Sequence, residues 1–192
     1  MMTRILVFAC LCIPYLLVAQ HSGAKKLAKE KEKQFHAQLD SISRYQEEAV
    51  YRQHAPAFAG TGTNGETFDL TAAKGEIVFV NFWFTSCGPC IKEMPELESL
   101  RKKYQDQVRF VSLCLDQAPR IAQTLSWLAQ QRHIQSFDWL ILPESQPVAR
   151  KYGVALYPTN LIIDPAGKVH TIGGSNLGYL ERRLKKLIKA KG

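Results

Sequence analysis

Residues 77–84 are an apolar, β-branched and aromatic run of the kind that makes a strand buried on both faces of a sheet. With only Thr85 and Ser86 between, the run meets Cys87-Gly88-Pro89-Cys90 and then a stretch where Met94, Leu97, Leu100 and Tyr104 recur at helical spacing. A cysteine pair is thereby fixed at a strand-to-helix junction. Pro89 suits the first turn of that helix, where the N–H it lacks has no partner anyway, and Gly88 permits close approach. Pro95 falls inside the helix and should kink it. A second apolar run, residues 108–115, completes a β-α-β unit with a parallel pair and a right-handed crossover.

The junction has a chemical consequence. At a helix N-terminus the unpaired N–H groups and the positive end of the macrodipole favour a thiolate over a thiol, so Cys87 is expected to have a lowered pKa and to act as nucleophile. Cys90, one turn in, is placed to attack a mixed disulfide formed at Cys87. Two structural roles compete: a zinc ligand pair or a static disulfide. Structural zinc wants four ligands, whereas no second cysteine pair accompanies this one and His21, His36, His54, His133 and His170 are scattered. A static disulfide leaves the strand before the motif and the helix after it without a reason.

The remaining chain fits one domain with an extension. Its 192 residues are too few for two domains of ordinary size, and 46% hydrophobic with 22% charged residues excludes both disorder and a polytopic membrane protein. Residues 1–19 read as a signal peptide: Arg4, an apolar run over 5–18 broken by Pro14, then Ala19. A retained membrane anchor is the alternative, but about fifteen residues at ~1.5 Å each span roughly 22 Å against a ~30 Å hydrocarbon core. Removal of that segment takes Cys10 and Cys12 with it and leaves Cys87, Cys90 and Cys114, too few for a disulfide framework. Residues 20–54 are expected to form a helical leader with Leu27, Phe35, Leu39 and Ile42 on one stripe, and 55–192 the folded domain.

Within 55–192, Asn64-Gly65 between apolar stretches predicts a small β-hairpin before the main fold. Helices over 120–131 and 146–152 and a short strand over 139–142 form a helix-rich insert; strands 161–164 and 169–173 flank a turn at Asp164-Pro165-Ala166-Gly167. A terminal helix carries Leu177, Leu180, Leu184, Leu187 and Ile188 between basic residues. The net charge of +8 lies largely there and in the Lys25–Lys33 stretch, and reads as solvated helix faces, not as a nucleic-acid site. The class is α/β, a central mixed sheet flanked by helices. Cys114 reads as a packed apolar residue and Asp116 as a cap or turn residue.

The segment from Asn81 to Cys90 resembles the thioredoxin superfamily, and most its exported TlpA/ResA branch; the likeness runs from about Ala55 to the C-terminus. It implies a thioredoxin-like fold, a redox-active Cys87–Cys90 disulfide, and no cofactor or metal. It implies a cis peptide before Pro158, in Val154-Ala155-Leu156-Tyr157-Pro158-Thr159, with Tyr157 supplying backbone groups to an extended substrate beside Gly88 and Pro89. Glu93 and Pro95 stand where the resemblance expects them. Asn81 takes the place of the buried Asp of cytoplasmic thioredoxins, so proton transfer to Cys90 needs another group. Glu93 is the candidate; an exposed first-turn carboxylate is the equal alternative. Trp83 either shields the motif on the substrate side or belongs to the core.

The function so implied is an extracytoplasmic thiol-disulfide oxidoreductase that reduces disulfides of exported proteins, such as apocytochrome c, and is recharged by a membrane electron donor of DsbD/CcdA type. It would lie in the periplasm or cell envelope, with a tether if the anchor is retained. An oxidase or isomerase on the same fold is the alternative. A thiol-based copper chaperone fits less well, because only Met94 stands near as a further ligand. A peroxidase lacks its Pro-x-x-x-Thr/Ser-x-x-Cys pattern, since Val80 occupies the proline place.

Overall fold

The computed structural model describes residues 6–132 and 139–191, with side chains from residue 23 onward except 46, 47 and 132. The charged start of the expected signal segment and the side chains of Cys10, Cys12 and Pro14 lie outside the described residues, as does His133. The chain divides into two units, Met1–Ile42 and Ser43–Gly192. Helix α1, Leu6–Val50, passes through the expected boundary at residue 20. Along it Leu27 and Phe35 are exposed, and Leu39 and Ile42 half-buried. No helix among the described residues is long and apolar enough to cross a membrane.

In the second unit β1 (Ala59–Thr61) and β2 (Thr67–Asp69) pair antiparallel as the expected hairpin. Its turn needs Gly65, whose φ is +83°, and the Gly62 N–H closes it by donating to the Glu66 carbonyl at 2.7 Å. The main sheet has the order β5-β4-β3-β6-β7: β3 is Ile77–Trp83, β4 Val108–Cys114, β5 Leu140–Leu142, β6 Thr159–Ile163 and β7 Val169–Gly173. β3 runs parallel to β4, and β4 to β5, while β6 is antiparallel to both β3 and β7, so the sheet is mixed. Helices α2 (Gly88–Tyr104), α3 (Ala118–Arg132), α4 (Gln146–Lys151) and α5 (Leu177–Lys191) flank it.

Every residue of β3 is buried, which is why its sequence shows no polar alternation. Period two still sorts the side chains: Ile77, Phe79 and Trp83 enter a core shared with α2, α3 and α5, while Val78, Val80 and Phe82 enter one shared with the hairpin and α4. Asn81 belongs by this alternation to the first face, beneath α2. The expected stripe on α2 is buried, and the helix continues through Pro95 to Tyr104. Strand β6 starts at Thr159, two residues before the sequence-based expectation, and this brings Asn160 into the sheet opposite Asn81.

Candidate active site

Cys87 is the N-cap of α2. Its backbone is extended, at φ −81° and ψ 100°, and its sulfur accepts the Cys90 N–H at 3.2 Å. That bond satisfies one of the orphan donors of the first turn, and in the dithiol it would go to a thiolate. Cys87 and Cys90 are joined as a disulfide with Cα atoms 5.3 Å apart, and both are buried, while Gly88 and Pro89 between them are exposed. The approach from β3 is pinned from the neighbouring strand end. Asp116 Oδ2 accepts the Thr85 N–H at 2.7 Å and the Thr85 hydroxyl at 2.8 Å, and the Cys87 N–H donates to the Phe84 carbonyl at 3.1 Å. Asp116, expected as a cap or turn residue, thus holds the loop before the cysteines.

The Tyr157–Pro158 peptide is cis. The residue after it, Thr159, pairs with Phe82 of β3, and the Tyr157 ring meets Phe84 edge-on with centroids 5.4 Å apart. The 154–158 segment therefore lies alongside the residues that lead into the motif. Burial pushes the Tyr157 phenol above its ordinary value.

Trp83 does not present its indole to a substrate. It is 1% exposed and donates from Nε1 to Ser112 Oγ at 2.7 Å, within the same core as Cys87 and Cys90. The expected substrate contact is therefore corrected to packing from beneath: the alternation of β3 turns residue 83 towards α2, away from solvent. Cys114 is fully buried, and burial pushes its thiol up to about 12, the behaviour of an apolar filler.

Glu93 is the residue that sequence left most open, and the structure removes its exposed reading. It lies one turn beyond Cys90 on the same face of α2 and is 6% exposed. Asn81 Nδ2 donates to its Oε1 at 3.2 Å, and Asn160 Nδ2 donates to the same oxygen at 3.2 Å. Burial raises its carboxyl to about 7; the hydrogen bonds from Asn160, Ser175 and Asn81 restrain that rise, and the Glu96 charge adds to it. A carboxyl poised near neutrality can both take and return a proton. Asn160 and Ser112 escaped the sequence reading: one polar residue in an apolar strand has no partner until strand register is known, and Asn160 meets Asn81 across 79 positions.

Comparison with known proteins agrees with this geometry. Residues 51–172 match the AhpC/TSA family. The chain is 33% identical over 141 residues to the thiol-disulfide oxidoreductase ResA of Bacillus thuringiensis, covering 70% of this chain and 77% of that one. It is 33% identical over 120 residues to the thioredoxin-like protein YneN of Bacillus subtilis, covering 62% and 69%. Among solved structures, a putative thiol:disulfide interchange protein DsbE from Chlorobium tepidum superposes with a TM-score of 0.59 at 26% identity, over 70% of this chain and 95% of that one. The chain belongs to the AhpC/TSA family and is a thioredoxin-like thiol-disulfide oxidoreductase.

Proposed function

We propose that this protein reduces disulfides of exported proteins outside the cytoplasm, with Cys87 as nucleophile, Cys90 as resolving thiol and Glu93 as the group that exchanges a proton with Cys90. The Cys87 thiolate attacks one sulfur of a target disulfide, forming a mixed disulfide and releasing the target's other sulfur as a thiolate that takes up a proton. Cys90 then gives its proton to Glu93 and attacks the Cys87 sulfur. The Cys87–Cys90 bond closes, and the second target sulfur leaves as a thiolate and is protonated. Two electrons and two protons pass to the target in all. A dithiol protein of the membrane, of DsbD/CcdA type, returns them.

The buried carboxyl one turn beyond Cys90 carries this reading, because resolution needs a local base and a group held at about 7 serves near neutral pH. Substrate docks as an extended segment along the backbone of residues 155–157, which no strand among the described residues pairs, in contact with Gly88, Pro89, Tyr157 and Pro158. The Gly-Pro dipeptide supports the reducing direction, being that of thioredoxin at about −270 mV and not that of DsbA at about −120 mV. The apolar segment over 5–18 with Ala19 supports export, and the TlpA/ResA resemblance supports targets of the apocytochrome c kind.

The test is a midpoint potential for the purified protein together with insulin reduction, and capture of targets by Cys90→Ala in cells. Insulin reduction and mixed disulfides with exported proteins are expected. A potential above about −150 mV, or stoichiometric oxidation of reduced substrate, would make the protein an oxidase instead.

A further inference from the structure

Beneath the active site runs a chain of buried hydrogen bonds with a fixed direction. Trp83 Nε1 can only donate, and it donates to Ser112 Oγ at 2.7 Å. The Ser112 hydroxyl is therefore turned to Asn81 Oδ1, at 3.4 Å. With its oxygen so engaged, Asn81 aims its amide nitrogen at Asn160 Oδ1, at 2.9 Å, and at Glu93. Asn160 is in turn left with its own nitrogen for Glu93, at 3.2 and 3.5 Å from the two carboxylate oxygens, and for the Gly174 carbonyl at 3.1 Å. Each step follows from the one before, and the last acceptor is the carboxylate.

The surroundings of Glu93 give that direction its meaning. Among the described residues no lysine, arginine or histidine forms an ion pair with it. The charged group acting on it is Glu96 of its own helix, which opposes ionisation. Strands β3 and β6 bring amides, and the turn after β7 brings the Ser175 hydroxyl. A buried carboxylate without a cation depends on such dipoles for its charged form. Asn160 is wholly buried, touches both oxygens, and sits two residues past the cis-proline.

We propose that Asn160, its amide polarity set through Asn81 and Ser112 by the Trp83 indole, is a positioning residue for proton transfer. It holds the Glu93 carboxylate on the Cys90 face of α2 and supplies the donors that the charged form needs. The inference rests on the reading of Glu93 as the proton acceptor for Cys90. Without the Asn160 amide, Glu93 would stay protonated at neutral pH and could not take that proton.

The experiment uses the full chain in its reduced form. The rate at which a Cys87–glutathione mixed disulfide resolves to the Cys87–Cys90 disulfide is followed across pH, and the Glu93 side-chain carboxyl is titrated by carbon NMR, with Glu98 as an internal reference. Asn160→Leu is expected to move the Glu93 midpoint and the acid limb of the rate profile together to higher pH, by about one unit, so that the rate near neutrality falls about fivefold and recovers in alkali. Trp83→Phe should move both the same way by less. A rate that drops equally at every pH with an unmoved midpoint would show a merely structural role and overturn the inference. Should Asn160→Leu not fold, Asn160→Ser and Ser112→Ala report the same two quantities. An acid limb that survives in Glu93→Gln would sink the reading of Glu93 itself; one that vanishes there but ignores the Asn160 variants sinks only the role of Asn160.

Discussion

Helix α2 buries two carboxyl groups, Glu93 and Glu98, to almost the same degree, 6% and 5% exposed, yet their ionisation moves in opposite directions. Glu93 is raised to about 7 by burial, which its amide partners do not offset. Burial acts on Glu98 as well, but the hydrogen bonds from Arg101 and Trp139, followed by the Arg101 and Lys102 charges, hold its carboxyl below the ordinary value. Arg101 meets it in two bonds at 3.0 and 2.8 Å, Lys102 lies at 3.6 Å, and the Trp139 indole donates from the β5 side. Equal burial thus gives one carboxyl fit to move a proton and one fixed as a structural anion. The difference lies in what faces it: a guanidinium in one case and neutral amides in the other.

The largest effect that sharpens the comparison comes from removing the guanidinium beside Glu98. Arg101→Leu leaves the buried charge only the exposed Lys102 at 3.6 Å and the Trp139 indole, and loss of one partner of such a buried pair costs about 3–5 kcal/mol. The variant should melt roughly 6–20 °C lower, by the usual scale for a chain of this size. Catalytic rate at a temperature where it is folded should be little changed. Loss of activity without loss of stability would mean that Glu98 takes part in the chemistry after all.

The pH dependence of stability separates the two groups next. For Glu93 the folded pKa lies above the unfolded one, so between pH 4.5 and about 7 the unfolded chain gives up its proton first, and this group's contribution falls as pH rises through that window. At 1.36 kcal/mol per unit the loss is about 3 kcal/mol. For Glu98 the folded pKa is depressed, so its contribution is present above the unfolded value and is lost as pH falls through the folded one. Denaturant unfolding of Glu93→Gln should lack the decline towards neutrality that the parent shows. An unchanged slope would mean that Glu93 ionises freely in the folded state.

Activity comes third. Glu93→Gln keeps the volume and removes the proposed base, and loss of general-base help costs on the order of 10²-fold. The loss should fall on the resolution of the mixed disulfide, seen as accumulated Cys87 adduct, with the first attack on a small disulfide retained. Glu98→Gln should show no such accumulation.

Much of this contrast was beyond reach of sequence, for a physical reason. Strand β3, the Cys-x-x-Cys helix start and the apolar face of α2 are local, and periodicity with a capping pattern places them; the cis bond before Pro158 came from resemblance, since nothing in the dipeptide itself dictates it. Glu93 stands one position before Met94 and Glu98 one after Leu97, each at the edge of the apolar stripe, where a few tens of degrees about the helix axis decide between core and solvent. Their partners are non-local. Trp139 lies 41 positions from Glu98, and Asn160 67 from Glu93, so the chemistry of each carboxyl waits on the sheet order β5-β4-β3-β6 that brings them together. Trp83 shows the same limit, because only the facing strand reveals that Ser112 receives its indole N–H.

The smallest effect belongs to a carboxylate outside the core. Asp116 keeps 23% of its side chain exposed and is hydrogen-bonded to Thr85 rather than enclosed. Water can take over both bonds in part, so Asp116→Ala should cost about 1–1.5 kcal/mol, as for an ordinary hydrogen bond, far less than opening the Glu98 site. The loop from Phe84 to Cys87 would still be held by its own backbone bond, and the rate with a small disulfide should stay within about threefold of the parent, less than 1 kcal/mol of barrier. Thermal melting and a single-turnover assay check both. A rate loss as large as that of Glu93→Gln would mean that the clamp on Thr85 sets the angle of Cys87 at the helix tip, and that the site depends on a third carboxylate through position and not through protons.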